Sequence, residues 1–177
     1  VLLEELSNAF GPSGCEDEVR RILARAQRGK VDNQRTAALG NLIACKRGRA
    51  PDPRLRVMVD AHTDEVGLMI TRLEQNGLLG FRVIGGIDPR QLLAKRVIVG
   101  HDRIPGVILA PPVHLTKPAQ REQVIGITEL VIDIGATSDG EARECVKLGD
   151  YAAFATRYQL LAEDGLRTAK GKAFDDR

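Results

Sequence analysis

Tryptophan is absent from the 177-residue chain, and aromatic residues make up only 3% of it. That scarcity removes the stacking platforms on which single-strand nucleic-acid binders and many carbohydrate binders depend. Charge of one sign is lacking too: 26 Lys and Arg stand against 24 Asp and Glu, a formal net charge of +2. No long-range field draws the chain to nucleic acid or to an anionic membrane. Apolar runs never approach the roughly 20 residues of a membrane-spanning helix, and the opening VLLEELSNAF carries acids where a secretory leader carries bases. Cys15, Cys45 and Cys145 are odd in number and widely spaced, so they form neither a CxxC pair nor a disulfide framework. A reducing, cytoplasmic setting is expected, with core packing as the ordinary role of the thiols. The glycines of Gly85-Gly86-Ile87-Asp88-Pro89 lack the GxGxxG or Walker spacing that cradles phosphate and predict a tight turn instead.

What is present is enough apolar material for a core: 43% of residues are hydrophobic. Leu2, Leu3, Leu6 and Phe10 recur near helical spacing until Gly11-Pro12-Ser13-Gly14 breaks the helix. Ser13 and Glu16 stand at capping-box spacing ahead of a second helix with Val19, Ile22, Leu23 and Ala26 as its apolar stripe. Strands are predicted at 31–35, 39–46 and 55–60, giving an α/β opening. From residue 67 the texture changes to strand-length segments punctuated by Gly, Pro and Asn: 66–73, 78–84, 96–99, 104–109 and 129–134. One helix with Ser138 and Glu141 at capping-box spacing precedes a last strand, 151–158. The composition shift predicts a β-rich domain, 67–158, inserted into an α/β domain formed by 1–66 and 159–177.

Chemistry concentrates where the predicted strand 55–60 runs into Asp60, His62, Asp64 and Glu65. Strand C-ends are where α/β sheets place ligand sites, and alternation would put Asp60, His62 and Asp64 on one face. An imidazole can bind a divalent cation through one nitrogen while donating its other N–H to a carboxylate, and Asp64 is the nearest partner for that role. A hydrogen-bonded histidine among solvated acids accounts for the same spacing equally well. A second acidic feature, Asp175-Asp176, follows Ala173-Phe174. Adjacent carboxylates repel unless a cation lies between them, and a solvated terminus is the simpler account. His101, in Gly100-His101-Asp102-Arg103, and His114, in a Pro-rich stretch, read as surface loop residues.

At Asp60-Ala61-His62-Thr63-Asp64-Glu65-Val66-Gly67 the sequence resembles the deblocking and glutamyl aminopeptidase family, which includes the TET peptidases. The likeness continues through Phe10-Gly11-Pro12-Ser13-Gly14, Leu39-Gly40-Asn41-Leu42-Ile43-Ala44 and Ile84-Gly85-Gly86-Ile87-Asp88-Pro89, then Ile132-Asp133-Ile134-Gly135-Ala136 and Lys172-Ala173-Phe174-Asp175-Asp176-Arg177. The resemblance implies an α/β sandwich of peptidase type interrupted by a β-barrel domain that mediates homo-oligomer assembly. It implies two divalent ions, Zn²⁺ or Co²⁺, with His62 as a terminal metal ligand and Asp175 as the bridging carboxylate. Asp64 takes the catalytic position, orienting His62. A cis bond between Asp175 and Asp176 is a further expectation, and such a bond costs about 3 kcal/mol.

The family's glutamate pair, a later aspartate and a late histidine have no counterpart in these 177 residues. The chain therefore matches an N-terminal portion of such an enzyme, and negligible peptidase activity is expected from it alone. Peptides are the substrate class implied. Two competing readings stay open: a non-catalytic assembly module built on the β-rich insertion, and an endoglucanase, a label some relatives carry. The latter needs a dedicated carboxylate pair and gives His62 no task.

Overall fold

The computed structural model describes residues 1–111, 124–161 and 168–175. The chain divides into two compact units, one of residues 1–64 with 157–177 and one of residues 65–156, where the composition shift had suggested boundaries at 67 and 158.

In the first unit, helices α1 (Leu2–Asn8) and α2 (Asp17–Gln27) bury a small cluster of Leu6, Ala9, Val19 and Ile22. Val19 and Ile22 sit three apart and so share one face of α2. The expected capping box does not form. Helix α2 begins only at Asp17, with Glu16 as its N-cap and no side-chain cap bond. The Glu16 carboxylate instead accepts from Gly14 N–H at 2.6 Å, closing the loop in which Gly14 adopts φ +91°. Strands β1 (Asn33–Thr36) and β2 (Leu42–Cys45) pair antiparallel across a turn.

The predicted strand 55–60 is a correction: it makes no ladder among the described residues. Leu55, Val57, Met58 and Val59 are all exposed, Val59 at 91%. Four alternating and consecutive apolar residues supply the local propensity for a strand, but a strand exists only when a neighbour takes up its N–H and C=O groups.

The second unit is a closed, wholly antiparallel barrel of six strands. Its members are β3 (Gly67–Leu73), β4 (Leu79–Ile84), β5 (Arg96–Val99), β6 (Ile104–Leu109), β7 (Val131–Asp133) and β8 (Tyr151–Phe154), in the spatial order β3-β4-β7-β6-β5-β8. Period-two alternation fills it: Leu68 and Ile70 from β3, Leu79 and Phe81 from β4, Val97 and Val99 from β5, Ile108 and Ile132 from β6 and β7. Closure leaves the barrel without the open edge that an unpaired sheet presents. Helix α3 (Asp139–Cys145) is capped by Ser138, whose Oγ accepts from Glu141 N–H at 3.3 Å. The return bond lands one residue early, on Thr137 N–H at 2.7 Å, because Glu141 also accepts from the Thr137 hydroxyl. In the first unit a two-residue pair, β9 (Gln159–Leu160) with β10 (Ala169–Lys170), follows.

The β3–β4 hairpin turns at Gly77, with φ +85°, where an added Cβ would lie 2.3 Å from the Ala136 carbonyl oxygen. Both strain and clash fall on backbone, which cannot rotate away. Gly77→Ala is therefore expected to destabilise the barrel by more than about 1 kcal/mol in urea melts; an unchanged midpoint would show that the turn relaxes freely. The three cysteines form no disulfide, and core packing is not their role: Cys15 is half-buried, while Cys45 and Cys145 are exposed. Cys45 ends a strand whose residues face outward, and Cys145 ends a helix that buries only Ala142. No helix among the described residues is long and apolar enough to cross a membrane.

Candidate functional site

The extended segment that leaves the exposed stretch 55–59 carries His62 and Asp64, and the short stretch after β10 carries Asp175. These residues, 113 or so positions apart along the chain, meet at one imidazole. His62 Nδ1 lies 3.1 Å from Asp64 Oδ1 and 3.1 Å from the Asp64 backbone oxygen. On the opposite side of the ring, His62 Nε2 lies 3.4 Å from Asp175 Oδ2. The imidazole is less than half exposed, whereas the Asp175 side chain is 77% exposed.

Both oxygens facing Nδ1 are acceptors, so Nδ1 carries the proton. In the neutral ring this leaves the Nε2 lone pair pointed at a carboxylate, an arrangement that repels unless a proton or a cation intervenes. The 3.4 Å gap is longer than an ordinary N–H···O bond. A divalent ion accepts electron pairs from both an imidazole nitrogen and a carboxylate oxygen, so the donor set suits one on the Nε2 side. The described residues contain no group of three or more His, Cys, Asp or Glu arranged to hold a metal. Asp64 does not add a third donor there because it serves the other ring nitrogen.

Asp64 is itself held by Ser13, whose hydroxyl donates to Asp64 Oδ2. This bond is the main reason the Asp64 carboxyl is held below the ordinary aspartate value; its own backbone N–H and the neighbouring His62 add to it, and partial burial opposes it. Ser13 was not foreseen as a site residue, because its spacing to Glu16 matches a cap. The signal that could have found it is the Gly-Pro-Ser-Gly loop, which is too rich in turn residues to start a helix. Ser13→Ala is expected to raise the Asp64 pKa, as read by carboxyl-carbon NMR titration. A carboxyl depressed in the folded state stabilises the fold above its unfolded value, near 3.9, and that contribution disappears as pH falls through the folded value. Acid unfolding of the variant should accordingly begin at higher pH. An unshifted Asp64 titration would remove Ser13 from the site.

Asp60, expected to share a face with His62, is exposed, and the pairing the structure shows runs between His62 and Asp64. Asp176, and with it the expected cis bond, lies outside the described residues, as does His114. His101 sits in the exposed turn between β5 and β6.

The sequence model of the M42 glutamyl aminopeptidase family matches residues 40–177, a span that takes in His62, Asp64 and Asp175. The chain belongs to the M42 glutamyl aminopeptidase family. Among its M42-like relatives, a lysyl aminopeptidase of Pyrococcus furiosus is 30% identical over 172 residues, covering 94% of this chain and 49% of that protein. The TET1 peptidase of Pyrococcus horikoshii, which can assemble into a tetrahedron or a large octahedral shell, superposes with a TM-score of 0.76 at 36% identity, over 90% of this chain and 47% of that one. An endoglucanase from Thermotoga maritima superposes with a TM-score of 0.80 at 41% identity, over 98% and 50%. The chain thus spans about half the length of the curated relatives it matches.

Proposed function

We propose that this M42 chain contributes to a metal-dependent aminopeptidase that removes N-terminal residues from peptides, with His62 and Asp175 as metal ligands and Asp64 as the residue that orients His62. The observation that carries the reading is the clamped imidazole: an acceptor pair on Nδ1 and a carboxylate across from Nε2. Asp64 fixes the tautomer and ring plane, so that the Nε2 lone pair is presented in one direction. Ser13 keeps Asp64 ionised and fixed in place. Asp175, with one oxygen toward His62 and its side chain largely exposed, would be the carboxylate ligand. A pair of divalent ions, Zn²⁺ or Co²⁺, would be held there, and when bound would acidify a water and polarise the peptide carbonyl. The proton of that water requires a general base, which the family resemblance assigns to a glutamate that these 177 residues do not match. Two donors are too few for a closed coordination shell, so the described residues by themselves do not complete a metal site, and the 177 residues alone are expected to turn over peptides negligibly. The test is hydrolysis of aminoacyl nitroanilides by the intact protein, with chelator and then with zinc or cobalt restored. Turnover that chelator leaves untouched sinks the metal reading.

The barrel, residues 65–156, closes its own core and is a candidate assembly domain, inserted into a peptidase sandwich to which residues 1–64 and 157–177 contribute. Support comes from the TET1 peptidase, which forms large shells. Light scattering with metal analysis separates an enzyme from an inert assembly module: oligomers that never bind metal favour the latter. Endoglucanase activity gains nothing from the described residues of the site: Asp64 and Asp175 both face His62, whereas glycoside hydrolysis needs a carboxylate pair flanking the sugar and no imidazole.

A further inference from the structure

Asp175 lies at the exposed end of a short segment that is otherwise half-buried, yet it must meet His62 to within an ångström for the two to share a cation. What holds it is found at Ser7, at the end of α1, whose side chain is fully buried. The Ser7 hydroxyl donates to the Lys172 carbonyl at 2.7 Å and accepts from the Lys172 N–H at 3.1 Å. One hydroxyl thereby takes both backbone groups of a single residue, which fixes the position and the orientation of that stretch of chain together. The same segment is gripped at two further points. Lys172 Nζ donates to the Ala9 carbonyl at 2.9 Å, and the Phe174 ring meets Tyr158 edge-on at 6.2 Å. Tyr158 in turn donates its N–H to the Asn8 side chain at 2.9 Å. Gly171 must lack a side chain, since a Cβ there would lie 2.4 Å from Ser7 Oγ, and Ala173 takes φ +51°, turning the chain between the clasp and the carboxylate.

We infer that Ser7 is a positioning residue for the metal site: its two-point clasp on Lys172 sets the register in which Asp175, three residues on, faces His62 Nε2. From a fixed Lys172 three extended residues could still span about 10 Å, so the clasp places the carboxylate together with the turn at Ala173 and the Phe174–Tyr158 contact. This inference rests on the metal reading above, and it concerns a residue distant from the reacting groups.

The test is zinc binding by the intact protein, measured by competition with a chelating dye and by the ring-nitrogen NMR signals of His62. Ser7→Ala is expected to weaken zinc binding by about tenfold, as loss of a ligand's supporting partner does, and to broaden or divide the zinc-bound His62 signal. Ser138→Ala, which removes a helix cap in the other unit, controls for general loss of stability and is expected to bind zinc unchanged. If folded Ser7→Ala binds zinc as the unaltered protein does while His62→Ala does not bind, the clasp is overturned and the metal reading survives. If His62→Ala also binds unchanged, the metal reading itself has failed. Should Ser7→Ala not fold, amide exchange in the unaltered protein decides: the Lys172 N–H is expected to exchange at least about tenfold slower than an unprotected amide, and exchange at the unprotected rate overturns the clasp.

Discussion

Replacing His62 by alanine is expected to weaken zinc binding at least about a hundredfold and to remove peptidase activity from the intact protein, beyond the ten- to hundredfold typical of losing an outer partner. The size follows from what the imidazole does. Among the described residues it is the nitrogen donor at the site, and it stands between the Asp64 and Asp175 carboxylates. Removing it takes away a ligand and also one polar partner each of Asp64 and Asp175. Asp64→Asn separates these effects, because an amide oxygen can still accept from Nδ1–H while the negative charge is gone. Its expected loss is smaller, about tenfold. Calorimetric zinc titration of the three proteins checks the order, and a His62→Ala protein that titrates like the original is the outcome that defeats the proposed site. Circular dichroism should show both variants folded, since His62 is a partly exposed residue outside either core.

The second large effect is structural. Leu68→Ala is expected to cost about 2–5 kcal/mol of stability, the range for emptying a leucine-sized space in a core that cannot collapse around it. Leu68 is fully buried and is paired on both sides, with Val83 of β4 and with Ala152 of β8. A closed barrel has no free edge through which neighbouring strands can shift inward, so most of the cavity should persist. Urea unfolding followed by far-ultraviolet circular dichroism measures it, and a loss below about 1 kcal/mol would mean that the barrel repacks around the gap. The exposed Leu55 offers the contrast: its alanine variant removes no buried contact from the described residues and should leave stability within about 0.5 kcal/mol.

The barrel strands were legible because each carries its own evidence. Arg96–Val99 alternates outward and inward, and Val97 and Val99 both end up buried, so local pattern and tertiary burial agree. Ser138 ahead of Glu141 likewise marked a helix start that the structure keeps. Ser13 ahead of Glu16 looked the same and was not one, since a hydroxyl binds whichever partner the fold brings near, and here that partner is Asp64, 51 residues away. The stretch 55–60 shows the complementary limit. Its residues favour a strand, but pairing belongs to two segments at once, and no second segment lies beside it among the described residues.

Resemblance to a known family singled out His62, Asp64 and Asp175, while the sequence by itself determined the period of the apolar residues and the turns. Those are properties of residue type and short spacing, carried by covalent neighbours. Only the tertiary structure decided that the six strands close on themselves, that Ser13 serves Asp64 and not a helix, and that Ser7 grips the chain next to Asp175. Each of these joins residues from 51 to 165 positions apart, or strands out of sequence order. Contacts of that kind depend on how the whole chain excludes water and satisfies its buried polar groups, which no local window of sequence contains.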